Sequence, residues 1–333
     1  MKVESLRTTT WPEGVKKEWE TILARNPLRT PFLTPLWAEI WLKHFGKSLD
    51  PRLLLFRDKD GSLQGLGFFL ESFREGKKGL TLLGNRDVWD YRDLIIHPGK
   101  EEEIFQNLGL FFNGNPWDYI ELDGIAEVSP TAQVFPAVME SLGYRTAKEN
   151  DETVINLSLP PTWEEFLKRL NGKDRHELRR KIRRIEKEGP CEWVGVSDPS
   201  SLEEKMGLFL ELHRKSRRDK SEFMTSEMEG YFRDLARELC NEGWLDLSFL
   251  LFRGNIIAAF FSFDFAGAKF IYNSGYDPDF AWYSPGIVLA AYCIRAAIEK
   301  GVTQFNFLRG REDYKYHLGG REEANYRLRA EKQ

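Results

Sequence analysis

Two stretches far apart in the chain carry the same hairpin signature. Leu55-Phe56-Arg57 leads into a turn at Asp58-Lys59-Asp60-Gly61 and a strand from Leu63 to Leu70. Leu251-Phe252-Arg253 leads into a turn at Gly254-Asn255 and a strand from Ile256 to Phe265. The second strand of each hairpin is rich in phenylalanine: Gly67-Phe68-Phe69 in one, Ala259-Phe260-Phe261 in the other. In both halves a helix, a hairpin, a third strand, a helix and a further strand follow in the same order. Recurrence of a whole order of elements marks a duplicated unit. The expected fold class is therefore α+β, an α/β mixed sheet built as two similar units.

The chain of 333 residues is long enough for two domains. Pro160-Pro161 is the boundary this reading selects, giving domains 1–159 and 160–333. Hydrophobic residues make up 41% and charged residues 30% of the chain, enough to bury a core in each half. The net charge of −4 argues against a molecule that binds nucleic acid over its whole surface. Cys191, Cys240 and Cys293 have neither disulfide nor zinc spacing, and no His pair has metal-ligand spacing, so no metal is expected. Met1 to Thr10 lacks a signal-peptide core, and no run approaches 18 apolar residues. The expected location is the cytoplasm, with no transmembrane segment.

Four features carry chemistry. In the first, a buried strand Lys269–Asn273 leaves the sheet at Gly275 and a short loop leads to Ser284-Pro285-Gly286, the start of a helix reaching Lys300. Ser is a preferred N-cap, and Pro at the first helical position loses no hydrogen bond. The free amides of the first turn, at Gly286 and Ile287, with the positive end of the helix dipole make an anion site; an ordinary capped helix has the same sequence. The second feature follows the strand Gln304–Leu308, where Arg309, Gly310, Tyr314 and Lys315 crowd a loop at a strand's carboxyl end. The third is a helix over 173–187 with eight Lys or Arg against three acids, a net +5. Leu178, Ile182 and Ile185 share one of its faces, so it packs as an amphipathic helix and offers its cations to phosphates, RNA or an anionic membrane. The fourth is His213 and Arg217, four apart on one helix face.

Taken together these blocks resemble the CelD/BcsL-like acetyltransferases, a group of the GNAT superfamily related to the Fem-type peptidyl transferases. The resemblance runs through Pro31-Phe32-Leu33-Thr34-Pro35-Leu36-Trp37, Asp90-Tyr91-Arg92-Asp93-Leu94 and Arg175-His176-Glu177-Leu178-Arg179-Arg180-Lys181. It continues from Phe209 to Arg217, then through Ser274-Gly275-Tyr276-Asp277-Pro278, Tyr283-Ser284-Pro285-Gly286, and Phe307-Leu308-Arg309-Gly310 with Tyr314-Lys315. It implies tandem GNAT-like units and an acyl-CoA donor, acetyl-CoA first, lying in a split between the strands Lys269–Asn273 and Gln304–Leu308. Gly275, Tyr276, Ser284, Gly286 and Ile287 are the expected donor-binding residues.

The usual GNAT phosphate loop is replaced here by Tyr283-Ser284-Pro285-Gly286. Fem-type relatives take aminoacyl groups from tRNA, for which the basic helix 173–187 is suited, so two donors stand. The implied reaction is direct transfer to an amine or hydroxyl of a sugar or cell-envelope precursor, as in exopolysaccharide synthesis. Asp264 and Asp277 are the candidate bases and Tyr314 the candidate acid. Arg309, Lys315, His213 and Arg217 are the candidate substrate-binding residues. A non-catalytic GNAT scaffold in an envelope-synthesis complex is the reading from another class.

Overall fold

The computed structural model describes residues 1–196 and 198–333. The chain forms two compact units: Met1–Thr153 with Glu323–Gln333, and Val154–Glu322. The division therefore falls inside a strand and not at Pro160-Pro161, and the last strand belongs with the first unit instead of the second.

In the first unit the elements run β1 (Lys2–Arg7), α1 (Val15–Leu23), α2 (Pro35–Phe45), β2 (Arg52–Arg57), β3 (Leu63–Arg74) and β4 (Lys77–Leu82). They continue as β5 (Ile95–Ile96), α3 (Glu101–Asn113), β6 (Tyr119–Ala126), α4 (Thr131–Ser141) and the N-terminal part of β7 (Arg145–Ser158). Helix α2 begins as its sequence predicts: the Thr34 hydroxyl accepts the Trp37 amide at 3.3 Å, with Pro35 at the first position. The sequence reading does not include β1 or α1, although Val15, Trp19, Ile22 and Leu23 of α1 recur at helical spacing and are buried.

The second unit starts with the C-terminal part of β7. It continues with α5 (Trp163–Arg169), α6 (Gly172–Glu188), β8 (Cys191–Val196), α7 (Leu202–Ser216), α8 (Arg218–Phe223) and α9 (Ser226–Asn241). Then follow β9 (Leu245–Phe252), β10 (Asn255–Phe265), β11 (Ala268–Tyr276), α10 (Pro285–Glu299), β12 (Gln304–Arg309) and α11 (Asp313–His317). The closing strand β13 (Arg321–Glu331) pairs with β6. The sheet of the second unit has the order β7-β12-β11-β10-β9-β8.

Alternation along β10 sends its phenylalanines to opposite faces. Phe260, with Ile271, Phe305 and Phe307, packs under α6 and α10. Phe261 packs against Phe209 of α7 and Phe232 of α9 on the other face. Each such fully buried aromatic contributes about 1.5–3 kcal/mol relative to exposure, and together they hold helices on both faces of one sheet. The duplicated hairpins are both present, as β2–β3 and β9–β10. Among the described residues, no helix is long and apolar enough to cross a membrane.

Candidate active site

Strands β11 and β12 run parallel and pair only at Ala268–Gln304, Lys269–Phe305 and Phe270–Asn306. Beyond Phe270 the two strands part, and β11 continues to Tyr276 paired with β10 alone. A stretch of strand edge is thereby left without a strand partner inside the unit. A cleft of about 350 Å³ opens there, lined by Ser274, Gly275 and Tyr276 from β11, Ser284 to Ile287 from α10, Arg217 and Lys220, and Glu312 and Tyr314. A smaller cavity of about 100 Å³ adjoins it, lined by Lys173, Glu177 and Lys181 of α6 and by His317. Ile287 and Tyr314 line both, so Tyr314 stands as the wall between them.

Backbone strain marks this region. Among the described residues, five that are not glycine have φ in the left-handed range: Glu75, Arg253, Ala266, Ser284 and Leu308. The first three precede a glycine in hairpin turns, where positive φ matches the strand twist. Ser284 and Leu308 have no such turn to serve. Ser284 begins α10, and Leu308 lies on β12 where its register against β7 slips. Left-handed geometry in a residue with a Cβ costs about 1–3 kcal/mol and collects at functional sites. At Leu308 the Asn306 carboxamide helps hold it, its Oδ1 accepting the Leu308 amide at 2.7 Å.

The start of α10 differs from its sequence reading. The Ser284 side chain makes no cap. Its backbone carbonyl accepts the Ile287 amide at 3.0 Å and the Val288 amide at 3.2 Å. The tight turn therefore uses the Ile287 amide that was expected to face a ligand, and Gly286 supplies the first-turn amide that remains. The Ser284 hydroxyl is turned to α6 and accepts from Lys181 Nζ at 3.1 Å. Lys181 Nζ also stands 3.1 Å from a Glu177 carboxylate oxygen, so an ion pair of the basic helix adjoins this end. A Cβ at Gly286 would meet nothing within 4 Å, so the cleft is open beside it.

Gly275 has a packing role. A Cβ there would lie 2.5 Å from the His213 amide nitrogen and 2.6 Å from the Leu212 carbonyl carbon. Helix α7 crosses β11 so closely that only glycine fits. His213 is 1% exposed. Burial, and then the charge of Lys220, draws its pKa down to about 4, so it is a neutral buried residue and lies outside the cleft lining.

Neither candidate base reaches the cleft. Asp264 lies near the far end of β10, paired with Lys269 Nζ at 2.6 Å. Asp277 Oδ1 accepts the Asp279 amide at 3.0 Å, and Lys215 Nζ stands 2.8 Å from it. Lys315 does not present its charge to a ligand: it is 3% exposed, and its ammonium donates to the Arg309 carbonyl at 2.6 Å and the Gly310 carbonyl at 3.1 Å, with Glu312 at 2.9 Å. Those three acceptors match the three N–H groups of an ammonium, so Lys315 staples the loop after β12. Arg309 does not line the cleft either. Arg217 does, and it is paired with Asp219.

Two lysines reach the site, Lys220, which the sequence reading missed, and Lys181, one of the cations of the basic helix 173–187. Lys220 of α8 lines the cleft and donates to the Ser274 carbonyl and, at 3.1 Å, to the Ser274 hydroxyl. Burial, with the nearby Arg217 charge, draws its pKa down to about 8. It lies seven residues after His213, two helical turns on, and the break at Arg217 hid that spacing. Lys181 flanks the apolar stripe of Leu178 and Ile185, a position from which a long side chain reaches over a neighbouring helix. Tyr314 is half-buried against Phe307, and burial, reinforced by the Glu312 carboxylate, pushes its pKa up, so its hydroxyl keeps its proton. Burial opposes the charge of Glu312, but Lys315 outweighs it and holds the carboxylate ionised.

The first unit repeats the split but fills it. Strands β4 and β6 are parallel and pair at Gly79–Tyr119, Leu80–Ile120 and Thr81–Glu121, then part. Into that gap runs the chain's own segment 84–94. The Arg92 amide donates to the Gly124 carbonyl of β6 at 3.1 Å, and Trp89, Tyr91 and Arg92 are buried. The open cleft belongs to the second unit.

Residues 172–316, less than half of the chain, match the family described as acetyltransferase (GNAT) domain. Among solved structures, FemX superposes with a TM-score of 0.65 at 11% identity, over 97% of this chain and 96% of that one. The C-terminal domain of a putative lysylphosphatidylglycerol synthetase from Agrobacterium fabrum gives 0.56 at 10% identity, over 95% and 91%. A tandem GNAT protein from the clavulanic acid biosynthesis pathway gives 0.51 at 10% identity, over 98% of both chains. No curated protein sequence matches significantly. The fold is that of tandem GNAT-like units.

Proposed function

We propose that the second unit is an acyltransferase that seats acyl-CoA, acetyl-CoA foremost, in the split between β11 and β12. It passes the acyl group directly to an amine or hydroxyl of a sugar or cell-envelope precursor. The observation that carries this reading is the parting of β11 and β12 after three paired residues, with an open cleft running from the parting point to the start of α10. An unpaired strand edge can accept the amides of an extended thioester arm, as an added strand would. The Gly286 amide offers positive potential to the phosphates beyond it, and Lys181, paired with Glu177, can turn its ammonium to them. The acceptor class rests on the family resemblance.

The reaction follows from two groups with opposed properties. Lys220, with a pKa drawn down to about 8, gives up its proton more readily than an ordinary lysine, which suits a general base. Its free amine takes the proton of the attacking nucleophile. The acyl carbon–sulfur bond then breaks, and Tyr314, kept protonated, hands its proton to the leaving sulfur. The smaller cavity on the other side of Tyr314 offers the acceptor an approach.

A second reading, transfer from aminoacyl-tRNA, is favoured by one observation: α6, the most basic helix, delivers Lys181 to the cleft's lip. Calorimetry with acetyl-CoA and longer acyl-CoAs on the wild type and on Gly286→Trp tests the first. Wild-type binding that Gly286→Trp removes is the expected result; no binding of any CoA ester sinks the acyl-CoA reading, and equal binding by both proteins sinks the cleft. Salt-sensitive tRNA binding lost on neutralising Arg179, Arg180, Arg183 and Arg184 supports the second.

A further inference from the structure

Helix α6 carries two cations to the lip of the cleft. Lys181 reaches Ser284 Oγ at 3.1 Å. Arg184, three residues on and so on the same helix face, holds its guanidinium 4.7 Å from the centre of the Trp282 ring. Trp282 is 72% exposed, so its indole has an arginine on one face and solvent on the other. Ala281 before it and Ser284 two residues after it line the cleft. Of the other large exposed hydrophobics among the described residues, Phe73, Leu110, Val128 and Leu142 belong to the other unit and Val194 lies on β8. The Arg184 Nε atom is buried without a hydrogen-bond partner, a state that native proteins seldom leave uncompensated. An aromatic plane beside two cations, at the mouth of a cleft, matches a nucleotide: the base has a π-face for the ring and the phosphates have charge for the cations.

We infer that Trp282, Arg184 and Lys181 form a subsite for an adenosine nucleotide carried by the donor. The base stacks on the free face of Trp282, and the phosphates lie against Lys181 and Arg184 near the Gly286 amide. The subsite rests on the donor cleft proposed above and deepens it. Adenosine terminates both CoA and the acceptor strand of tRNA, so the recognition chemistry is shared and the source is settled by the test.

The test uses the intact chain and its Trp282→Ala and Trp282→Phe variants, titrated with acetyl-CoA, with adenosine bisphosphate (the nucleotide end of CoA), with pantetheine and with a short RNA ending in CCA. A base–aromatic stack is worth about 5- to 150-fold in affinity. Trp282→Ala is expected to weaken acetyl-CoA and adenosine bisphosphate by that factor and to leave pantetheine unchanged. Trp282→Phe is expected to restore most of the loss, and circular dichroism to show intact folding because the ring is exposed. The same loss and rescue with the RNA, in place of acetyl-CoA, supports the subsite and assigns its source. If every donor that the wild type binds is bound equally by Trp282→Ala, the subsite is overturned while the cleft stands. Failure of the wild type to bind either donor overturns both.

Discussion

Replacing Gly275 with alanine tests which of two roles this glycine serves. The added Cβ would lie 2.5 Å from the His213 amide nitrogen, 2.6 Å from the Leu212 carbonyl carbon and 2.8 Å from the His213 Cα. All three atoms are backbone, so no side-chain rotation relieves the clash. Restoring an ordinary separation of about 3.5 Å requires helix α7 to retreat from β11 by about 1 Å. Overpacking of this kind costs about 1–3 kcal/mol. For a unit of this size each kcal/mol lowers Tm by about 2–4 °C, so the expected loss is about 2–12 °C. Calorimetric or denaturant unfolding of the variant measures it. Gly286→Ala is the control: its Cβ meets nothing within 4 Å, and its stability should stay within about 0.5 kcal/mol of wild type. A Gly275→Ala protein as stable as the wild type but weaker in donor binding would refute the packing argument and return Gly275 to the ligand.

Three further outcomes are expected. Lys269 is 1% exposed between Asp246 at 2.5 Å and Asp264 at 2.6 Å, so Lys269→Met strands a buried carboxylate and should cost about 3–5 kcal/mol in denaturant unfolding. His213 titrates near 4 when folded against about 6.5 when unfolded. The native state therefore resists protonation, and stability present above pH 6.5 is lost as pH falls towards 4, by about 3 kcal/mol. Unfolding curves of His213→Gln should lack that loss, and parallel curves would count against the assignment. Lys220→Met should remove the limb of the kcat/KM profile that rises with pH through about 8, with the fold intact by circular dichroism; a profile that keeps this limb excludes Lys220 as the base.

The duplicated hairpins, the helix that starts at Thr34-Pro35 and the basic helix were all legible because each is a local pattern. Periodicity, a capping residue and a turn glycine act within a few positions, and short-range sterics read them the same way in any context. The Ser-Pro-Gly helix start and the charged loop were legible for the same reason, and the family resemblance placed the split between the strands beside them. Function-bearing side chains were another matter. Asp264 and Lys315 look available in sequence, yet Lys269 holds one and the Arg309 and Gly310 carbonyls hold the other. Lys220 and Lys181 look like ordinary surface cations, yet a helix break and a helix crossing bring them to the cleft. Whether a charge is free, paired or desolvated depends on atoms distant in sequence, because Coulomb and burial energies are set by separations in space. The sequence by itself determined most of the elements, their repetition and the helix start beside which a ligand was expected, while the split between β11 and β12 was what the family resemblance implied. Only the tertiary structure decided that the first unit's split is filled by its own segment 84–94, and which ionisable groups the open one retains.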